Sequence, residues 1–167
     1  MTAAVLLIDP KYPRNLGSVV RTCAAYGVAD LRYTGDRMAE SLRELRRLPR
    51  EERMRGYRSV RWGRDDRPFD ALPDLTPVAV EVRRNSEPLP LFEHPERALY
   101  VFGPEDGSIG GAALRHCHRF VAIPTRHCLN LAMAVATVLY DRQAKREPER
   151  MLDMRSTESR EASRAGE

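Results

Sequence analysis

The 167-residue sequence contains no hydrophobic run that approaches the roughly 20 residues needed to span a bilayer. Its first residues, MTAAVLLIDPKYP, carry no basic residue before the apolar stretch, so they match a secretory signal peptide poorly. The three cysteines, Cys23, Cys117 and Cys128, include no CxxC pair and cannot all be bridged. These absences predict a reduced, cytoplasmic protein that does not associate with membranes.

Motifs of several familiar chemistries are also missing. The sequence has no GxGxxG fingerprint, no GxxxxGK[ST] phosphate loop and no GxSxG nucleophile elbow. Its clustered metal-ligand residue types are His116, His118, His127 and Cys128, whose HxH and HC spacings fit no standard zinc pattern. We therefore expect no bound metal, and a metal-dependent hydrolase would lack its ligands.

Lysine is nearly absent, with Lys11 and Lys145 as its two occurrences, yet the net charge is +4 because arginine is abundant. Residues 37–67 hold eleven arginines against six acidic residues, whereas residues 145–167 hold six charges of each sign. The excess positive charge in the middle of the chain predicts contact with a nucleic-acid backbone. A solvated helix face is the alternative, and arginine bias also follows from genome composition. The expected contacts with RNA in this segment are Arg46, Arg47 and Arg50.

Apolar runs alternate with helix-prone segments along the chain. The expected strands are residues 4–9, 29–35, 77–82, 98–103 and 119–124, and the expected helices are residues 19–26, 112–117 and 129–143. Residues 40–48 are also helix-prone, and the basic chain that follows them, up to residue 67, is expected to be irregular. Short, continuous apolar runs are typical of strands that are buried on both faces. The pattern predicts an α/β fold with a mostly parallel sheet flanked by helices. It also predicts a single domain over residues 1–144, followed by a charged, disordered tail over 145–167.

The first expected helix raises a question about Arg21. Ser18 is a candidate N-cap for this helix, and Gly27 is placed to end it. Arg21 would then lie in the first turn, where the helix dipole disfavours a cation. A substrate phosphate would match that charge better than the helix does.

Polar loops follow three of the expected strands and lead into helices. They read DPKYPRNLGSVVR, GPEDGSIGG and IPTRHCLN, and they hold Asn15, Arg21, Glu105 and Asn130. Because ligands of open parallel sheets bind beyond the carboxyl ends of the strands, we expect these loops to form one site.

The same segments resemble the three motifs of the SpoU/TrmH branch of the SPOUT RNA methyltransferases. NLGSVVR is similar to the first motif, YVFGPEDGSI to the second and IPTRHCLNLAMAVATVLYD to the third, in the family's order. The resemblance covers roughly residues 4–143. It implies transfer of a methyl group from S-adenosylmethionine to a ribose 2′-hydroxyl of tRNA or rRNA, a C-terminal trefoil knot and a homodimer.

The resemblance also implies the roles of individual residues. The implied cofactor contacts are Val80, Glu81, Gly103, Glu105, Ile123, Cys128 and Leu129. Asn15, Arg21, Glu105 and Asn130 would form the catalytic, methyl-acceptor end, and Arg21 would also contact RNA. Arg21 would act there either as the base or as an electrostatic clamp, and the persistent positive charge of a guanidinium favours the clamp. Cys128 stands where the family usually has Ser, which leaves its side-chain role open because a thiol is a weak hydrogen-bond donor.

Two further expectations concern assembly and rival functions. The last helix is apolar on many faces, so we expect a dimer that glutamates at Ala134 and Leu139 would disrupt. A catalytically silent RNA-binding dimer is the alternative function. The sequence leaves open which RNA and which nucleotide are modified.

Overall fold

The computed structural model describes residues 2–38 and 58–146. Within these ranges, seven strands form one sheet, and every pair of neighbouring strands is parallel. The strand order across the sheet is β3-β2-β1-β6-β4-β7-β5. The strands are β1 (Ala3–Leu7), β2 (Asp30–Tyr33), β3 (Arg61–Arg64), β4 (Thr76–Val80), β5 (Glu87–Pro88), β6 (Ala98–Phe102) and β7 (Arg119–Ala122). The predicted parallel α/β fold is thereby confirmed.

Helices lie on both faces of the sheet. They are α1 (Pro13–Ala25), α2 (Pro68–Ala71), α3 (Gly111–Leu114) and α4 (Leu131–Arg146), and a 3-10 helix spans Leu89–Leu91. Alternate residues of the central strands point to opposite faces, so that Leu7 belongs to the core beneath α1 and α4 while Leu6 packs on the other side. Burial on both faces explains why β1 and β6 are continuous apolar runs.

The start of α1 differs from the expectation. The helix begins at Pro13, five residues before Ser18, which lies inside the helix and is exposed. Proline suits the first helical position because it has no N–H group to leave unsatisfied. The end of the helix agrees with the prediction: Gly27 has a φ of +67°, and the hydrogen bonds from Gly27 N and Val28 N close a Schellman motif.

Strands β3 and β5 were not expected. β3 occupies part of the basic segment that was expected to be irregular, and it pairs with β2 at one edge of the sheet. The expected helix around residues 40–48 lies outside the described residues, and so does most of the predicted tail. Residues 145–146, expected in that tail, belong to α4.

The last helix, α4, is buried on one side only. Leu139 is 2% exposed within the core, whereas Met133 and Tyr140 are 59% and 53% exposed. Seven residues separate Met133 from Tyr140, so they lie on the same face, two turns apart. Leu139 was therefore wrongly placed on the uncovered side, which Met133 and Tyr140 occupy instead.

A buried polar network attaches α4 to the chain before β6. His94 Nδ1 lies 2.6 Å from the Tyr100 hydroxyl and His94 Nε2 lies 2.8 Å from Asp141 Oδ2. Arg142 donates to the same hydroxyl, and Lys145 lies 2.7 Å from Asp141. Burial lowers the pKa of His94 below its ordinary 6.5, although Asp141 opposes this shift. The imidazole is therefore held neutral between its two partners.

Within the described ranges, no helix combines the length and the apolar character needed to cross a bilayer.

Candidate active site

A cavity of about 280 Å³ opens at the carboxyl edge of the sheet. Its walls are the segments that follow β4, β6 and β7, together with the first turn of α4. All seven residues predicted to contact the cofactor line it: Val80, Glu81, Gly103, Glu105, Ile123, Cys128 and Leu129. Parallel strands explain this convergence, because their carboxyl ends meet at one edge. Ala134, expected on the dimer face, also lines this cavity.

Gly103 allows the loop after β6 to fold tightly over the cavity. A Cβ atom at this position would lie 3.0 Å from Ile109 N and 3.2 Å from the Ser108 carbonyl carbon. These neighbours are backbone atoms, so they cannot move without shifting the loop. A side chain at residue 103 would therefore reshape the cavity wall.

Three of the four predicted catalytic residues form a continuous hydrogen-bonded chain. Asn130 Nδ2 donates to Asn15 Oδ1 over 2.9 Å, and Asn15 Nδ2 donates to Glu105 Oε1 over 2.7 Å. Ala132 N donates to Asn130 Oδ1, which fixes Asn130 at the start of α4. The chain joins all three motifs, since each residue comes from a different one.

Glu105 also supplies the N-terminal cap of α1. Its Oε2 accepts a hydrogen bond from Lys11 N at 2.8 Å, and its Oε1 accepts one from Tyr12 N at 3.3 Å. Tyr12 is the N-cap residue and has no capping side-chain bond of its own. A carboxylate at this end of a helix also interacts favourably with the helix dipole. Glu105 thus takes the role that the sequence had suggested for Ser18.

Arg21 lies apart from this chain. It is in the third turn of α1 rather than the first, so the expected conflict with the helix dipole does not arise. It follows Asn15 by six residues, which places it about 9 Å further along the axis and on another face. Its side chain is exposed, and no described residue pairs with it. Arg46, Arg47 and Arg50, the other predicted RNA contacts, lie outside the described residues.

Glu81 gives the cavity a polar group that lacks a partner within the described part of the chain. Its Oε2 atom is buried without a hydrogen bond, although the residue lines the cavity. An unpaired buried carboxylate oxygen is costly unless a donor satisfies it. The ribose and amino groups of S-adenosylmethionine carry such donors, and the apolar side chains of Ile123 and Leu129 suit its adenine. The residues present therefore fit this cofactor.

A cluster of charged residues beside the cavity was missed by the sequence analysis. Arg37 Nη1 lies 3.0 Å from Asp106 Oδ1, Lys11 Nζ lies 3.1 Å from Asp106 Oδ2, and Arg37 Nε lies 2.8 Å from Asp9 Oδ2. Asp9 has a φ of 44°, and a Cβ on Gly35 would collide with its carboxylate. The residues of the cluster are spread over nearly a hundred positions, so no local sequence pattern predicts it.

No group of three or more His, Cys, Asp and Glu side chains in residues 2–38 and 58–146 has an arrangement that suits a metal ion. His116 stacks on Phe69 instead, with ring centroids 4.2 Å apart.

The chain is similar in sequence to a tRNA methyltransferase. It is 29% identical over 183 residues to the tRNA (cytidine-2′-O-)-methyltransferase TrmJ of Methanocaldococcus jannaschii, with 93% of this chain and 74% of that protein covered.

Solved structures share its fold. The SpoU methyltransferase AviRb from Streptomyces viridochromogenes, in complex with the cofactor AdoMet, superposes with a TM-score of 0.67 and 20% identity. The match covers 87% of this chain and 60% of AviRb, so this chain spans about three fifths of that protein. The A. aeolicus TrmH/SpoU tRNA modifying enzyme gives a TM-score of 0.68 and 20% identity, covering 89% and 77%. The profile of the SpoU rRNA Methylase family matches residues 2–140. The chain, with its three motifs gathered around one cavity, therefore belongs to the SpoU rRNA methylase family.

Proposed function

We propose that this protein transfers a methyl group from S-adenosylmethionine to a ribose 2′-hydroxyl of tRNA or rRNA. One observation carries the proposal: the second and third motif segments line a single cavity, and the first motif joins both through the hydrogen-bonded chain Asn130–Asn15–Glu105. Similarity to a tRNA 2′-O-methyltransferase and to an AdoMet-bound structure supports it.

The cofactor would occupy the cavity between the loops that follow β4, β6 and β7. S-adenosylmethionine, when bound, supplies an activated methyl group. Glu81 would accept hydrogen bonds from the cofactor through its unpaired oxygen, and Gly103 would let the loop backbone approach closely. Contacts of Cys128 through its backbone would not depend on whether the side chain is a thiol or a hydroxyl. Most of the rate enhancement would come from holding the acceptor oxygen in line with the methyl group.

Asn15 and Asn130 would shape the methyl-acceptor end, with Glu105 holding Asn15 in place. Arg21 would bind an RNA phosphate and stabilise the developing alkoxide rather than remove the proton. Its exposure and its lack of a partner among the described residues leave the guanidinium available for this. Arg46, Arg47 and Arg50 would add phosphate contacts, as their charge suggests.

We further propose that the protein is a cytoplasmic homodimer, with a methyltransferase domain over residues 1–144, a knotted C-terminal path and a charged tail. The subunit contact would be formed by exposed apolar side chains: Met133 and Tyr140 on α4, and Tyr12 at the N-cap of α1. Helices α1 and α4 pack together in one core cluster. A subunit contact formed by the exposed side of α4 would therefore bring Arg21, on α1, close to the interface.

The test of the function is a transfer assay with methyl-labelled S-adenosylmethionine and separate pools of unmodified tRNA and rRNA. We expect label in a nuclease-resistant 2′-O-methylated dinucleotide from one pool. Label on a base, or none in either pool, would contradict the proposal. Calorimetry should show micromolar cofactor binding that a chelator does not alter, whereas loss of binding on chelation would favour a metal site.

A further inference from the structure

Arg37 is held so that one edge of its guanidinium faces Asp106. Its Nε lies 2.8 Å from Asp9 Oδ2, although the N–H is not aligned for a hydrogen bond, and its Nη2 donates to the Asp9 carbonyl. Nη1 then donates to both oxygens of Asp106, over 3.0 and 3.1 Å. The contacts with Asp9 fix the side chain, and the contact with Asp106 uses the edge that remains.

Lys11 also pairs with the carboxylate of Asp106. Its Nζ donates to Asp106 Oδ2 over 3.1 Å. Two cations from separate segments of the chain thus converge on the two oxygens of one carboxylate. An arginine and a lysine arranged in this way also fit the oxygens of a phosphate group.

We propose that Lys11 and Arg37 form a binding site for an RNA phosphate, and that the carboxylate of Asp106 occupies this site until RNA displaces it. The proposal rests on the proposed function, because it assumes that RNA is the substrate. It adds to that function one phosphate site, formed by two cations, and an internal competitor for it.

Exchange is feasible because the whole cluster is accessible. The side chains of Lys11, Arg37 and Asp106 are 41%, 35% and 45% exposed. Contacts with Arg37 and then with Lys11 lower the pKa of Asp106, so the carboxylate is charged at neutral pH and repels an approaching phosphate. Exposed ion pairs are individually weak, so competition from Asp106 should lower RNA affinity by about fivefold or less.

Displacement of Asp106 would act directly on the candidate active site. Asp106 follows Glu105, which lines the cavity, caps α1 and holds Asn15. Binding of RNA would therefore change the contacts of Asp106, which is the immediate neighbour of Glu105. Arg37 is also the first residue of the basic segment of residues 37–67, so the site adjoins, along the sequence, the part of the chain with the largest excess of positive charge.

The experiment measures binding of an unmodified tRNA transcript to the full chain over a range of salt concentrations. The test variant is Asp106→Asn, and the matched control is Asp74→Asn. Asp74 forms a similar exposed pair with Arg97 at 3.0 Å, but both precede their strands and lie at the opposite edge of the sheet. Each variant changes the net charge by the same amount. A Lys11→Met, Arg37→Met double variant removes the proposed site.

We expect Asp106→Asn to bind tRNA about two- to fivefold more tightly than the wild type, with Asp74→Asn clearly less affected. The double variant should reduce the steepness of the log–log salt dependence by about 0.7 for one lost phosphate contact. Equal affinities of the two aspartate variants, or an unchanged salt dependence in the double variant, would overturn the proposal. Failure of the wild type to bind RNA at all would instead contradict the proposed function.

Discussion

Replacement of Glu105 by alanine should destabilise the fold and disconnect the three motifs. The half-buried carboxylate accepts hydrogen bonds from Lys11 N, Tyr12 N and Asn15 Nδ2, over 2.8, 3.3 and 2.7 Å. Hydrogen bonds to a charged group contribute about 1.5–3 kcal/mol each when removal leaves the donor unpaired. Water can reach part of this site, so we expect a total loss of about 2 kcal/mol in the free energy of unfolding. For a chain of this length, that corresponds to a fall of about 4–8 °C in Tm.

Urea unfolding followed by circular dichroism measures this loss, and Glu93→Ala is the matched control. Glu93 is exposed, and none of the described residues pairs with its carboxylate. A double-mutant cycle with Asn15→Ala should give a coupling energy of about 1 kcal/mol, because the two side chains are in direct contact. The reasoning would be refuted if Glu105→Ala cost no more than Glu93→Ala, or if the two substitutions were additive.

Three further predictions concern other parts of the chain. Gly103→Ala should weaken S-adenosylmethionine binding by about tenfold in calorimetry, because the added methyl group would meet Ile109 N and displace the loop. Met133→Glu with Tyr140→Glu should produce monomers in light scattering, since burying two carboxylates in an apolar interface is unfavourable. The free energy of unfolding should fall as the pH drops below about 6.5. In the unfolded chain His94 binds a proton near that pH, whereas in the folded protein its lowered pKa delays protonation to a lower pH, so protonation favours the unfolded state.

Each of these predictions has a control at a comparable residue. Gly107→Ala should leave cofactor binding nearly unchanged, because its Cβ would make only an ordinary 3.4 Å contact with Pro104. Leu91→Glu introduces charge at a side chain that is 76% exposed and belongs to the 3-10 helix rather than to α4, and it should leave the dimer intact. His94→Gln should flatten the dependence of stability on pH, whereas substitution of the exposed His118 should not. A pH dependence that survives in His94→Gln would assign the effect to another group.

Sequence patterns predicted the parts of the fold that are buried on two sides. The five expected strands are apolar runs that all lie in the interior of the sheet. By contrast, the sequences RWGR in β3 and EP in β5 contain few apolar residues. Both missed strands lie at sheet edges, where burial makes fewer demands on composition. The start of α1 was misplaced because its cap comes from Glu105, about ninety residues away, and no local pattern reveals such a partner.

The candidate site was predicted in two ways. The resemblance to the SpoU/TrmH motifs named the residues that line the cavity, and three polar loops after parallel strands were expected to share one edge. The pairing of Asp106 with Arg37 and Lys11 could not be predicted from the sequence, because it depends on the order of the strands in the sheet. Likewise, the packing of α4 against the sheet decides which of its sides faces solvent. For this reason the sequence alone could not show that Leu139 is buried and Met133 is exposed.

The hydrogen-bonded chain from Asn130 through Asn15 to Glu105 has a consequence for how the protein acquires its site. Its links bridge sequence separations of 115 and 90 residues. Contacts between such distant positions form late, because most of the polypeptide must be ordered before they can stabilise it. A chain that had folded only as far as β6 would possess most of the sheet but neither the last cavity wall nor Asn130. We therefore expect competence for cofactor binding to appear in the final step of folding, together with the docking of α4.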